Sequence, residues 1–113
     1  MDADKAYELA KAGEITLVDI RRPDEWAATG IPAGAKPLDM RREDFIAELS
    51  KITANARDKP VVLICAGGVR SGRMRTNLTE AGLTNIQDIP EGIGGSASGP
   101  GWLARGLPVE EAQ

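Results

Sequence analysis

Cys65 is the only cysteine of the chain, and it opens the run Cys65-Ala66-Gly67-Gly68-Val69-Arg70-Ser71. A thiol, two adjacent glycines and a guanidinium in so short a span suit a sulfur nucleophile ringed by main-chain N–H groups. Gly67 and Gly68 permit backbone angles that turn such groups inward. Arg70 offers the forked donors that a small anion needs. Arg73 and Arg75 follow, and no acid lies between Asp58 and Glu80, so the surroundings of the cysteine are expected to be positive. The chain has no histidine. That excludes a Cys–His or Ser–His–Asp relay and any His-ligated metal, and a single cysteine does not make a metal site. A thiolate here has to be favoured by amides, a helix dipole and arginine instead.

The elements that must position this loop can be read on either side of it. Val61-Val62-Leu63-Ile64 is apolar without alternation, as in a parallel strand buried on both faces, and it runs straight into Cys65. Ser71 to Leu78 reads as a helix, with Met74, Leu78 and Ala81 at helical spacing and Gly82 as its stop. Strand, glycine turn and helix start together gather unpaired N–H groups at one point.

Further back, Asp4 is a candidate cap for a helix over Lys5 to Ala12, and Ile15 to Val18 is a strand leading into Asp19-Ile20-Arg21. Pro23 suits the first position of a short helix that turns Trp26 and Ala27 inward and ends at Thr29-Gly30. An extended piece lies near Ala35 to Leu38. Asp39 is expected to cap a helix from about Met40 to Ala56, with Phe45, Ile46, Leu49, Ile52 and Ala56 on one stripe. Asn85 to Ile89 is the last strand candidate. Pro90 to Gly101 reads as a flexible Gly/Ser-rich loop, and Trp102-Leu103-Ala104 as a final helical turn.

Strands alternating with helices predict an α/β fold over residues 1–113 as one domain, with a mostly parallel central sheet of about four to five strands and helices on both faces. Ligands of such sheets sit beyond the carboxyl ends of the strands, where Cys65 and Asp19-Arg21 both fall. A formal charge of −3, with 14 basic residues scattered among 17 acids, argues against nucleic acid as a partner. No apolar stretch approaches the roughly 20 residues of a membrane span. Met1-Asp2-Ala3-Asp4 lacks the features of a signal peptide, so the expected setting is the cytoplasm, with a reduced thiol.

Taken together, these blocks resemble the single-domain rhodanese-like sulfurtransferases. The loop Cys65 to Ser71 is similar to that family's signature of cysteine, two residues, glycine, one residue, arginine and serine. Asp19-Ile20-Arg21 with Glu25-Trp26 resembles its first block, and Ile31-Pro32 with Gly34-Ala35 its turn. Gly82-Leu83-Thr84-Asn85-Ile86 and Trp102 followed by Gly106-Leu107-Pro108-Val109 resemble its closing segments. Three features depart from the pattern: Gly30 where many members have histidine, Ala33 as an apparent insertion, and the Gly94 to Gly101 stretch. The family's first short strand is nearly absent.

The resemblance implies a thiosulfate sulfurtransferase that moves sulfane sulfur from a small anionic donor to cyanide or a thiol through a Cys65 persulfide. Cys65 and Arg70 are the expected catalytic pair. Ala66, Gly67, Gly68, Val69 and Ser71 would cradle the sulfur, and Arg73 would assist in binding the donor. Asp19, Arg21 and Glu25 are read as an ion-pair group bracing the turn beside the site. No metal or organic cofactor is required, and a sulfur-accepting protein is a further candidate partner. Two rival readings stand beside this one. A cysteine phosphatase of the same fold would have five residues between cysteine and arginine, whereas four separate Cys65 from Arg70. A non-catalytic sulfur carrier or partner-binding module could keep both residues.

Overall fold

The structure is a computed structural model, and it describes residues 1–111. Four strands form a parallel sheet in the order β3-β1-β4-β5: β1 is Thr16–Asp19, β3 Lys36–Pro37, β4 Val61–Ile64 and β5 Ile86–Asp88. β2 (Ile31–Pro32) pairs antiparallel with β6 (Val109–Glu110) as a separate two-stranded ribbon, which no periodicity in so short a segment foretells. The helices are α1 (Ala3–Lys11), α2 (Pro23–Thr29), α3 (Phe45–Ile52) and α4 (Val69–Glu80). This is the expected α/β fold.

β4 is central, buried at every position, and its alternate side chains feed two cores. Val61, Leu63 and Cys65 pack with Val18, Ile20, Phe45, Leu49, Met74 and Leu78, beneath α3 and α4. Val62 and Ile64 pack on the other face with Leu17, Ala3, Ala6, Ile89, Ile93 and Trp102, under α1 and the chain that follows β5. Burial on both faces is why the strand carries no polar residue. Trp102 is fully enclosed, stands edge-on to Tyr7 with ring centroids 5.7 Å apart, and donates its Nε1–H to the Pro108 carbonyl at 2.9 Å.

Several expected boundaries move, each for a local reason. Asp2, not Asp4, caps α1, accepting from the Lys5 N–H at 2.8 Å, and Asp4 instead meets Arg105. α3 begins at Phe45 rather than Met40. Asp39 turns back on the N–H and guanidinium of Arg41, and Asp44 pairs with Arg42, so that stretch is held as turns. The helix ends at Ile52 because Ala54 and Asn55 adopt positive φ. Its expected apolar stripe is narrower too, with Ile46 exposed. Ala27 and Ala81 also face solvent.

The Gly/Ser-rich passage is knitted rather than loose. Ser96 and Gly99 form a bridge, the Ser96 hydroxyl donates to the Pro90 carbonyl, and Trp102 and Leu103 N–H groups return to Gly92 and Ile93. Residues 102–106 make turns instead of a helix. Among the described residues no helix is long and apolar enough to cross a membrane.

Candidate active site

β4 delivers Cys65 to the carboxyl edge of the sheet, and α4 starts four residues later. The turn between them is tight because Gly68 sits at φ +92°, where a side chain is strained, and a Cβ there would run into the Pro90 carbonyl. Gly92 is similarly pinned under the Ala66 carbonyl. Behind the loop, Ile93 N–H donates to the Cys65 carbonyl and Gly94 N–H to that of Ala66, both at 2.9 Å. The chain after β5 is therefore a buttress for the turn.

The Cys65 side chain is only 1% exposed, but its sulfur is not sealed in hydrocarbon. Gly68 N–H donates to Sγ at 3.2 Å and Ser71 N–H at 3.3 Å. The Ser71 hydroxyl lies 3.4 Å from Sγ and donates to the Gly68 carbonyl at 3.2 Å. Ser71 is completely buried at the start of α4, so this hydroxyl has no access to bulk water. Among the described residues, the N–H groups of Ala66, Gly67, Val69 and Arg70 have no protein acceptor. These are the unpaired donors of a helix start and its preceding turn, in the same short loop as the two N–H groups that reach Sγ. Main-chain donors in contact with sulfur stabilise negative charge on it.

Arg70 does not stand free over this ring. Its two terminal nitrogens are held by the Glu25 carboxylate in a forked pair, Nη1–Oε1 at 2.7 Å and Nη2–Oε2 at 2.8 Å. The Arg70 hydrogen bonds hold the Glu25 carboxyl down from 4.5 to about 2, against the opposing effect of burial, with the Arg22 N–H helping. Glu25 is therefore ionised at any working pH.

The sequence reading grouped Glu25 with Asp19 and Arg21; the structure separates them. Asp19 and Arg21 form their own buried pair at 2.8 Å. The remaining Arg21 donors reach the Thr29 hydroxyl and the carbonyls of Glu25 and Gly30, tying the end of α2 to β1. Glu25 shares only its backbone with that brace. Its carboxylate reaches 45 residues along the chain to the cysteine loop, a pairing that no local spacing could reveal.

Beside Arg70 lies an open groove of about 580 Å³ lined by Arg22, Met40, Arg41 and Arg70. The expected positive surroundings are largely cancelled here. Arg22 lies 3.7 Å from Asp24 and 3.5 Å from Glu25, Arg41 is clamped by Asp39 at 2.6 Å, and Arg75 meets Asp88. Arg73 is exposed one turn beyond Arg70 and makes no ion pair among the described residues. Val69, the first residue of α4, is 65% exposed.

A rhodanese-like domain model matches residues 2–96 of the chain. The chain belongs to the rhodanese-like domain family. Within the curated relatives, thiosulfate sulfurtransferase 16 of Arabidopsis thaliana, a chloroplastic protein, is 29% identical, the match covering 93% of this chain and 87% of that protein. The polysulfide-sulfur transferase homodimer of Wolinella succinogenes superposes with a TM-score of 0.71 at 30% identity, over 100% of this chain and 78% of that one. A rhodanese-related protein of Thermoplasma volcanium gives a TM-score of 0.70 at 33% identity, over 99% and 97%. Membership of this sulfurtransferase family fits the sulfur-centred loop.

Proposed function

We propose that the protein is a sulfurtransferase that carries sulfane sulfur on Cys65, taking it from thiosulfate or a similar donor and passing it to cyanide or a thiol. The observation that carries this reading is the pair of N–H bonds to Sγ inside a turn with four further unpaired amides. In the first half-reaction the Cys65 thiolate attacks the outer sulfur of the donor. The donor's S–S bond breaks, its electron pair leaves with sulfite, and Cys65 holds a persulfide anion. The amides of Ala66, Gly67, Val69 and Arg70 are then available to the added sulfur. In the second half-reaction cyanide or a thiolate attacks that sulfur, and the electron pair of the broken bond returns to Cys65.

Ser71 serves both states. With a thiol, its hydroxyl can accept from S–H while donating to the Gly68 carbonyl; with a thiolate, a rotation about one bond turns its proton to sulfur. Arg70 orients the anionic donor at the rim, and Arg73 adds attraction from one turn away. The setting expected for this chemistry is the cytoplasm, and the acceptor could equally be a protein thiol. The phosphatase reading is weaker. A four-residue interval between Cys65 and Arg70 supplies one amide fewer than a phosphate cradle.

Intact mass after incubation with a sulfane donor tests the proposal. The wild type should gain one sulfur that cyanide removes, and Cys65→Ser should gain none. Hydrolysis of an aryl phosphate without sulfur uptake would point to the phosphatase, and uptake only from a dedicated protein donor to a carrier.

A further inference from the structure

A second hollow adjoins the one beside Arg70. It holds about 530 Å³ and is lined by Pro23, Trp26, Pro37, Leu38, Asp39 and Arg42. The walls of the two hollows are consecutive in the chain. Arg22 of the first is followed by Pro23 of the second at the start of α2, and Asp39-Met40-Arg41-Arg42 on the other side are divided between them. Together they form one groove that starts at Arg70, at the mouth of the Cys65 site, and runs out to β3 at the edge of the sheet. Thiosulfate or cyanide fills only a small part of it.

Four features define the chain that fits. The outer hollow is faced by an indole, two pyrrolidine rings and Leu38, which are flat apolar surfaces. The arginines along the rim already have carboxylates, Arg22 those of Asp24 and Glu25, Arg41 that of Asp39 and Arg42 that of Asp44, so no surplus charge awaits an acidic chain. β3 is an edge strand, but Leu38 N–H returns to the Asp19 carbonyl, which turns the backbone of Pro37 away from β1. Proline has no N–H to offer, so the edge is closed to an added strand. Finally, Trp26 Nε1 is the one buried side-chain polar atom without a hydrogen-bond partner among the described residues. A covered donor with no acceptor is a standing cost that a ligand carbonyl relieves.

We propose that this groove is a docking site for an uncharged, proline-rich segment of a partner protein, bound in the polyproline II conformation with one carbonyl accepting from Trp26 Nε1–H. Such a chain makes no internal hydrogen bonds, so its carbonyls are free, and its rings pack on Trp26, Pro23 and Pro37. It is extended before it binds, so little order is lost on docking. The indole nitrogen lies just beneath the groove wall, and a turn of the ring toward the groove brings its N–H to the bound carbonyl. The docking stands apart from the sulfur-transfer reading; if both hold, the groove leads the residues that flank the docked segment toward Cys65.

The test titrates the ¹⁵N-labelled full chain with the end-blocked peptide Ala-Pro-Pro-Leu-Pro-Pro-Ala and follows the ¹⁵N–¹H spectrum. The Trp26 indole proton should move downfield and saturate as it gains an acceptor, together with the amides of Asp39, Met40 and Arg42. The Trp102 indole, already bonded to the Pro108 carbonyl, should stay in place. Trp26→Phe removes the donor and should weaken binding about tenfold at the same amides, as loss of a central interface aromatic does. A Trp26 indole that stays in place under excess peptide overturns the proposal. So does one that moves as far with the blocked controls Ala-Gly-Ser-Gly-Ser-Gly-Ala or Ala-Asp-Asp-Leu-Glu-Glu-Ala. Should Trp26→Phe fail to fold, the wild-type titration decides alone.

Discussion

At the level of single residues, the account turns on which groups reach Cys65 Sγ. The two N–H donors belong to Gly68 and Ser71. Their contact is main-chain, and among the described residues the one side chain that touches Sγ with a polar group is Ser71. Ser71→Ala should therefore separate amide from hydroxyl stabilisation. We expect about a tenfold loss in the rate of sulfur uptake and about 1 kcal/mol of stability, since the Gly68 carbonyl keeps its bond from Gly72 N–H. A rate equal to wild type would show the hydroxyl to be a bystander. The sequence made Cys65, Arg70 and the loop glycines legible, because residue types and their order carry that information. It did not make Glu25 legible as the partner of Arg70, because the two are joined only by tertiary folding.

Among the elements, the important junction is the one between β4 and α4, braced by the chain after β5. The apolar run of β4 and the spacing of Met74 and Leu78 in α4 identify both elements from sequence, since each is buried on the face its pattern predicts. From sequence the buttress reads as flexible, because Gly and Ser are the residues of both loose linkers and close backbone contacts. Here contact is the reason: Gly68 meets the Pro90 carbonyl and Gly92 that of Ala66. Gly68→Ala should be costly twice over, in positive φ and in a collision with backbone that cannot swing aside. A loss of at least about 2 kcal/mol in a denaturant titration is expected, together with loss of sulfur uptake. Near-wild-type stability would mean that the turn is not held as described. α3 is shorter than its apolar pattern predicts for a related reason, since the Asp39 and Asp44 carboxylates pair with neighbouring arginines instead of capping a helix end.

Over the whole molecule, Glu91 links parts of the chain far apart in sequence. Its carboxylate, 2% exposed, accepts from Ala3 N–H at 2.9 Å, from Gly101 N–H at 2.8 Å and from Arg105 Nε at 2.7 Å. It thus ties α1 and the closing turns to the segment that supports the Cys65 loop. Burial works to raise its pKa, but Arg105 and the two N–H groups outweigh that and hold the carboxyl below the ordinary 4.5. A folded value lower than the unfolded one means the stabilisation is complete above about pH 4.5 and fades as pH falls below it. Glu91→Gln should therefore cost about 2 kcal/mol at pH 7, and the gap to wild type should close in acid; a gap that is constant from pH 7 to pH 3 would refute the charged role. This network is invisible to sequence periodicity because Glu91 lies 88 residues from Ala3 and 10 and 14 from Gly101 and Arg105.

The central claim is that the unpaired amides of the Cys65 turn hold the transferred sulfur, and the most direct measurement is an ¹⁵N–¹H spectrum recorded before and after loading with one sulfane sulfur. The amide protons of Ala66, Gly67, Val69 and Arg70 should move downfield as they gain an acceptor, and cyanide should return them to their starting positions. Loading that leaves those four resonances in place, while the protein mass rises by one sulfur, would contradict the account.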